Sequence, residues 1–394
     1  MQDSQFDVAI VGASVSGASL AIRLGRKGIS TALIDRAKFP RRKACGEGVS
    51  DIALDSLNSI GLSDDIKKLQ GLRFFSYRLD FGDRSVELAS GKSRYLKGIG
   101  IQRYLLDKML VDRAAAFPSI RAFLEVGVKG IKRDGNQFIL AFSTGQKITA
   151  KYLVLADGVN SGNSKRLGIS MIKGKRPLWG ISYTLEGSYS KFTKEVLILL
   201  KNGFEVYCTP VSDTMLNVAF LTRKETARYL KDHALQDDLL MEAKEKCFFQ
   251  GEAVGPPLSV GPVGATKRPY RSGSILLIGD AAESLDPISG MGITHGVLNA
   301  ELAAKTLISI IKRNIPVDKA LDEYANDCER MSRPYRGFTR LTGGLLRSPH
   351  RNILIPALVK TDLPYLIRSA LKHPSYNRTF PVSFFTIFLR LVGK

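Results

Sequence analysis

The 394-residue chain is poor in cysteine and has a single tryptophan. Its four cysteines, Cys45, Cys208, Cys247 and Cys328, lie far apart and form no C-x-x-C pair. That spacing argues against a disulfide framework and a cysteine-type zinc site, so no metal is expected, and it fits a reduced, cytoplasmic setting. Lysine and arginine are missing from the opening MQDSQFDVAIVGAS, where a signal peptide would carry them. The first apolar run therefore reads as a strand of a mature protein. Internal repeats and low-complexity stretches are lacking too. So are zinc-finger, RNP and helix-turn-helix patterns, which leaves a formal charge of +21 without a nucleic-acid motif. Nucleic acid is not an expected partner on charge alone.

What is present is a 44% hydrophobic chain, long enough for one large domain with an insertion or for two domains. It opens as strand, Gly-rich turn, helix and strand: FDVAIVG, ASVSGASLAIRLGRKG, TALIDR. Residues 100 to 116 have the spacing of an amphipathic helix. A β-meander follows from about Phe123 to Ala156, with turns at Asp134-Gly135-Asn136 and Thr144-Gly145. From about 170 to 265 the pattern alternates, as in GISYTLEG, FEVYCTPV and MLNVAFLTR, with a helical stretch from about 224 to 247. The strand SILLIGD and a long helix after Gly292 then return to the opening theme. The predicted fold class is therefore α/β: a discontinuous Rossmann-type domain with an inserted, mostly antiparallel sheet. Residues 331 to 394 carry eleven lysines and arginines against one acid, Asp362. They read as a basic helical tail broken by Pro349, Pro356, Pro364, Pro374 and Pro381.

Three motifs sit at strand ends. Gly12-Ala13-Ser14-Val15-Ser16-Gly17 occupies the place of a G-x-G-x-x-G fingerprint, with Ser14 where its middle glycine belongs, and Asp35 ends the next strand. Gly12 allows the tight turn and Gly17 a close helix contact, while the helix start suits a pyrophosphate and Asp35 suits ribose hydroxyls. Gly279-Asp280-Ala281-Ala282, then Asp286-Pro287 and Gly290-Met291-Gly292, lies between an apolar strand and a helix. Small residues there let backbone approach a flat ligand, and the helix start directs its positive end at it. Ala156-Asp157-Gly158 is the third.

Together, in this order and spacing, the motifs resemble the flavoprotein monooxygenase superfamily typified by para-hydroxybenzoate hydroxylase. Pro40-Arg41-Arg42-Lys43-Ala44-Cys45-Gly46-Glu47-Gly48 and Arg103-Tyr104-Leu105-Leu106-Asp107 resemble its geranylgeranyl reductase branch. The resemblance spans about residues 6 to 330. It implies a glutathione reductase-like FAD-binding domain from residues 1–70, 98–168 and 266–330, with a substrate domain from 71–97 and 169–265. It also implies FAD contacts from Gly12, Ser14, Ser16, Gly17, Asp35, Arg36, Arg42, Cys45, Gly46, Arg103, Asp157, Gly158, Gly279, Asp280, Pro287, Gly290, Met291 and Gly292. Cys45 would lie near the isoalloxazine, as a small buried residue or as a catalytic one.

Trp179, Tyr183, Phe204 and Tyr207 alternate along strands and read either as core or as an apolar pocket above the flavin, which His295 would border. The resemblance offers three reactions. The tryptophan-type halogenase pattern W-x-W-x-I-P is absent. Hydroxylation of a lipophilic aromatic or polyketide-like substrate by NAD(P)H and O2 is the first expectation, because Asp157-Gly158 suits transient NAD(P)H and no second nucleotide fingerprint is needed. Double-bond reduction of a prenyl lipid is second, since GFEVYCTPV keeps Tyr207 and Pro210 of the prenyl-reductase Y-x-W-x-F-P segment but not its tryptophan. The tail segments LVKTDLPYLIRSALKH and FPVSFFTIFLRLV suit a helical cap, an anionic membrane surface or both, which would make the protein peripheral. A basic membrane-binding flavoprotein without activity is the non-enzyme alternative.

Overall fold

The computed structural model describes residues 4–88, 98–174, 177–201, 203–227 and 233–359. Chain order begins with β1 (Ser4–Val11), α1 (Val15–Gly25) and β2 (Thr31–Ile34), followed by α2 (Arg103–Ala115) and β3 (Ile120–Phe123). The meander is β4 (Val128–Asp134), β5 (Gln137–Phe142) and β6 (Lys147–Leu155). Val8 to Ile10 of β1 are fully buried, the mark of a central strand covered on both faces. β1 pairs in parallel with β2 (Val8 with Thr31) and with β6 (Val8 with Tyr152). β3 extends the sheet beyond β2, and β11 (Ile275–Leu277) extends it beyond β6. β5 attaches antiparallel to the first half of β6, and β4 pairs antiparallel with β5. The turn glycines Gly135 and Gly145 both have positive φ, as the sequence signals require.

The second sheet is the expected insertion. It contains β7 (Leu178–Tyr189), β8 (Glu195–Leu200), β9 (Phe204–Ser212) and β10 (Met215–Arg223), with the hairpin Ser76–Asp80 and Ser85–Leu88 at one edge. β7, β10 and β9 pair antiparallel, with Asn217 opposite both Thr184 and Thr209. Side chains alternate between the two faces of such strands. One face carries Tyr183, Phe204, Val206, Val218 and Phe220, packed on Leu239 and Ala243 of α3 (His233–Lys246) and on Cys247 just after it. The other face meets the cofactor-type domain through a small sheet of Gly48–Ser50, Gly98–Gly100 and Leu72–Phe74. That approach is close: a Cβ on Gly100 would lie 1.9 Å from the carbonyl oxygen of Pro210.

α4 (Gly292–Arg313) runs along α1, and α5 (Val317–Leu346) packs on α4. The division placed at residues 330 and 331 falls inside α5, a continuous helix that contains Pro334. Pro349 does lie in the break before α6 (Arg351–Val359), but Pro356 sits within α6 and does not interrupt it. Pro364, Pro374, Pro381 and most of the two tail segments lie outside the described residues. Among the described residues no helix is long and apolar enough to cross a membrane.

Candidate cofactor and substrate site

The three strand-end motifs converge. Gly12 has φ 109°, and a Cβ there would sit 2.3 Å from the carbonyl oxygen of Ala156, so the first turn and the Asp157 turn touch backbone to backbone. A Cβ on Gly17 would lie 1.8 Å from the Gly12 oxygen. Ser16 fits between the second motif and α4: Cβ atoms on Gly279 and Gly296 would lie 2.4 and 2.3 Å from its Oγ. Ser14 does more than replace a glycine. Its Oγ donates to Asp107 Oδ2 at 2.9 Å and accepts from Arg103 Nη2 at 2.9 Å, tying the turn to α2. Asp35 braces the turn from below, accepting from Ala13 N at 2.8 Å and Ala37 N at 2.9 Å. The N-terminus of α1 has no side-chain cap and keeps its positive end for an anion.

Arg103 is buried and pairs with Asp107 at 2.9 Å. Burial opposes its charge, but Asp107 and then Cys45 outweigh this and hold it protonated. Its Nη1 reaches Cys45 Sγ at 3.6 Å, and Glu47 N donates to the same sulfur at 3.3 Å. Arg41 completes the cluster, 4.0 Å from Asp107 and stacked on Phe39. Arg42 points elsewhere: it is exposed and donates to the carbonyl oxygen of Pro256 in the second domain at 3.1 Å. Arg36 is exposed beside Asp35. Gly46 is half-buried, with no atom within 4 Å of an added Cβ.

Asp157 accepts from Asn163 Nδ2 at 2.9 Å, and its Oδ1 is buried without a hydrogen-bond partner among the described residues. Gly158 follows with φ 84°. Buried Arg268 joins two motifs, donating to the carbonyl oxygens of Val159 at 2.9 Å and Ala281 at 3.0 Å. Gly279 N donates to Asn299 Oδ1 at 3.0 Å, and Asp280 beside it is half-buried. Asp286 accepts from Ile288 N, capping the turn Pro287–Ser289; Gly290 then takes φ 64°, and exposed Gly292 starts α4 beside buried Met291. Among the described residues no cluster of His, Cys, Asp and Glu could hold a metal ion.

The expected aromatic pocket does not assemble. Tyr183 and Phe204 pack on the α3 side of the second sheet, and Trp179 shares that face, its indole against Gly261. Tyr207 faces the opposite way, its hydroxyl 2.9 Å from Glu205. His295 does not line the cavity that opens between the domains. It is buried, with Nε2 2.6 Å from Ser332 Oγ in a network with Tyr270 and Glu283. Burial lowers its pKa below the ordinary histidine value, while Glu283 and Asp280 pull the other way.

A cavity of about 230 Å³ does open between the domains. Arg42, Lys43, Glu47, Gln102 and Tyr104 line it from the cofactor side, and Ser182, Thr184, Met215, Asn217 and Leu258 from the second domain. Asn217 Nδ2 donates to the Cys45 carbonyl oxygen at 3.0 Å, joining its two walls. Sequence reasoning quoted Glu47 only as part of a motif and missed Arg268 and Arg347. The signal for Glu47 was a carboxylate between two glycines, Gly46 and Gly48.

A glycine-lined cradle, an uncapped helix start and an orphaned carboxylate oxygen fit a dinucleotide with a flat ring system, the arrangement of a flavin-dependent oxidoreductase. The family described as FAD binding domain matches residues 5–336, and the chain belongs to it. The chain is 26% identical over 325 residues to a menaquinone reductase of Mycobacterium tuberculosis, covering 78% of each chain. It is 25% identical over 344 residues to digeranylgeranylglycerophospholipid reductase 1 of Methanothermobacter thermautotrophicus, covering 82% of each. Among solved structures, p-nitrophenol 4-monooxygenase from Pseudomonas putida superposes with a TM-score of 0.75 at 18% identity, covering 97% of this chain and 98% of that one. The fold is that of the group A flavoprotein monooxygenases, and the chain is an FAD-dependent oxidoreductase.

Proposed function

We propose that the protein is an FAD-dependent reductase that saturates a double bond of a prenyl lipid. The observation that carries this reading is the likeness to two proteins named as reductases, which extends through the second domain as well as the cofactor motifs. Hydroxylation, the first expectation from sequence, rests on the hydroxylase fold and the Asp157-Gly158 turn; at 18% identity the monooxygenase likeness speaks to fold alone.

In this reading Gly12, Ser14, Ser16 and Gly17 present the α1 N-terminus to the FAD pyrophosphate. Asp35 keeps lone pairs for the adenosine ribose beyond those that hold the turn. Asp280 would take the ribityl hydroxyls, and Pro287, Gly290, Met291, Gly292, Cys45 and Gly46 would hold the ring. Bound FAD supplies two-electron hydride chemistry. Cys45, engaged by Arg103 and Glu47 N, positions its loop. NAD(P)H meets the chain transiently at Asp157 and Gly158. The cavity is smaller than the roughly 300–1,000 Å³ usual for a drug-sized ligand, so it holds one segment of a longer lipid. Met215 and Leu258 supply its apolar wall.

The test is anaerobic. The purified protein is expected to be yellow with an oxidised-flavin spectrum and, once reduced, to reoxidise on adding an unsaturated prenyl lipid, whose product gains two hydrogens. A product hydroxylated only in the presence of O2 selects the monooxygenase instead.

A further inference from the structure

We infer that Glu47 is the proton-exchanging carboxyl of the interdomain cavity, the group that gives a proton to a substrate carbon during reduction. The inference rests on the reductase reading. Saturating a carbon–carbon double bond breaks one π bond and forms two C–H bonds. One bond takes a hydride, with both electrons, from the reduced cofactor; the other takes a proton from an acid. Glu47 would give that proton, be left as a carboxylate, and regain a proton from solvent.

Three observations single it out. First, Glu47 is the carboxyl among the residues lining the cavity. Second, it is 7% exposed, and only one of its oxygens is engaged: Oε1 accepts from Arg103 N at 3.1 Å, while Oε2 is buried with no hydrogen-bond partner among the described residues. A buried carboxylate oxygen without a donor is costly, whereas a protonated one can wait as a hydrogen-bond donor for a ligand. Third, its backbone is fixed in an unfavourable conformation. Glu47 has φ 56°, its N–H donates to Cys45 Sγ, and its carbonyl oxygen accepts from Ile101 N at 3.0 Å. A side chain held at positive φ between two glycines is an uncommon arrangement that clusters at functional sites.

The surroundings are consistent with proton exchange near neutrality. Burial pushes the carboxyl up to about 7, against the Arg103 backbone N–H and the charges of Arg103 and Arg42. Lys43 and the phenol of Tyr104 complete the titratable groups lining the cavity beside it, and Cys45 adjoins it. Ser182, Thr184 and Asn217 on the opposite wall are neutral. Most of the positive charge on Arg103 is answered by Asp107. Arg42 is exposed and screened.

The experiment uses the FAD-loaded full chain. Carbon-13 NMR of carboxyl-labelled glutamate, assigned by comparison with Glu47→Gln, reads the titration directly, and a midpoint near 7 is expected. In parallel, reduced enzyme is mixed anaerobically in D2O with menaquinone or a digeranylgeranyl glycerophospholipid. Wild type is expected to give saturated product that carries solvent deuterium, since the acid and the reduced cofactor both exchange their hydrogens with solvent, at a rate that falls above pH 7. Glu47→Gln is expected to slow that step roughly 100-fold, the scale of a single general acid, with unchanged lipid affinity and no break near pH 7; Glu47→Asp should restore part of the rate. A carboxyl that titrates in the ordinary range of about 4–5, or a Glu47→Gln enzyme that turns over like wild type, overturns the inference alone. Wild type that titrates near 7 yet leaves both lipids unsaturated overturns the reductase reading and the proton-delivery role together.

Discussion

Arg347 closes a bidentate ion pair on Asp286, with Nη1 at 2.6 Å from Oδ2 and Nη2 at 3.0 Å from Oδ1. The same guanidinium donates through Nε to Glu205 Oε1 at 2.5 Å, and Glu205 in turn accepts from Tyr207. One side chain at the C-cap of α5 thus fastens the second sheet to the loop that leads into Gly290-Met291-Gly292. Removing it strands the buried Glu205 carboxylate and the half-buried Asp286 carboxylate together. Arg347→Ala should therefore cost roughly 2–4 kcal/mol, towards the range for breaking a buried pair, and should weaken FAD retention because the Asp286 turn loses its brace. Arg347→Lys keeps the charge but not the fork and should recover only part of both. Thermal unfolding and FAD titration by fluorescence check this; equal FAD affinity in all three proteins would mean that the brace does not reach the cofactor.

Glu47 makes a stability prediction that is independent of catalysis. Its folded pKa, about 7, lies above the ordinary glutamate value. Between those two pH values the folded chain keeps a proton that the unfolded chain releases. Stability from this group is therefore full below about pH 4.5, falls as pH rises, and levels off above about 7, a loss of up to about 3 kcal/mol. Glu47→Gln should remove that slope and be the more stable protein at pH 8, with the advantage shrinking towards pH 4.5. Denaturant unfolding at a series of pH values measures the difference, and parallel curves for the two proteins would contradict the buried, protonated carboxyl.

Ser14 and Gly12 predict opposite kinds of failure in one turn. Gly12→Ala drives a Cβ into the Ala156 carbonyl at a φ that side chains rarely adopt, so the expected protein holds little or no FAD. Ser14→Gly restores the fingerprint but deletes the hydroxyl shared by Arg103 and Asp107. It should fold, keep its flavin, and lose about 1 kcal/mol, the net worth of an ordinary hydrogen bond. Flavin content per chain and the unfolding midpoint separate the two. A Ser14→Gly protein as stable as wild type would mean that Arg103 and Asp107 are satisfied without it.

The cofactor half of the fold was legible because each motif carries a steric demand visible in one dimension: glycine where backbones meet, a small run where a helix approaches, a strand before each. The bounds of α2 followed from apolar spacing to within a few residues, and α4 begins at the expected Gly292. The aromatic pocket was not legible. Alternation along β7 and β9 shows that Tyr183 and Tyr207 occupy faces, but not which face α3 covers and which meets the other domain. Pro356 misled as well: it stands sixth in the nine-residue α6, past the first turn whose N–H groups lack intrahelical partners, and the helix nevertheless continues through it. Arg347 looks like an ordinary charged residue in sequence, and Glu47 is marked there only by its flanking glycines; burial and long-range partners distinguish both.

His295 gives the last prediction, opposite in sign to that of Glu47. Burial lowers its folded pKa below the ordinary value near 6.5, chiefly by desolvation. As pH falls through that ordinary value the unfolded chain binds a proton that the folded chain refuses, so stability drops on the acid side. In wild type the Glu47 slope runs the other way over part of the same range and masks it. The two become separable in a Glu47→Gln background, where stability should decline on lowering the pH from 7 to 5. Adding His295→Asn should flatten that decline while lowering stability at pH 7, because Ser332 loses its 2.6 Å partner. If the double variant kept the acid slope of Glu47→Gln alone, that slope would not come from His295.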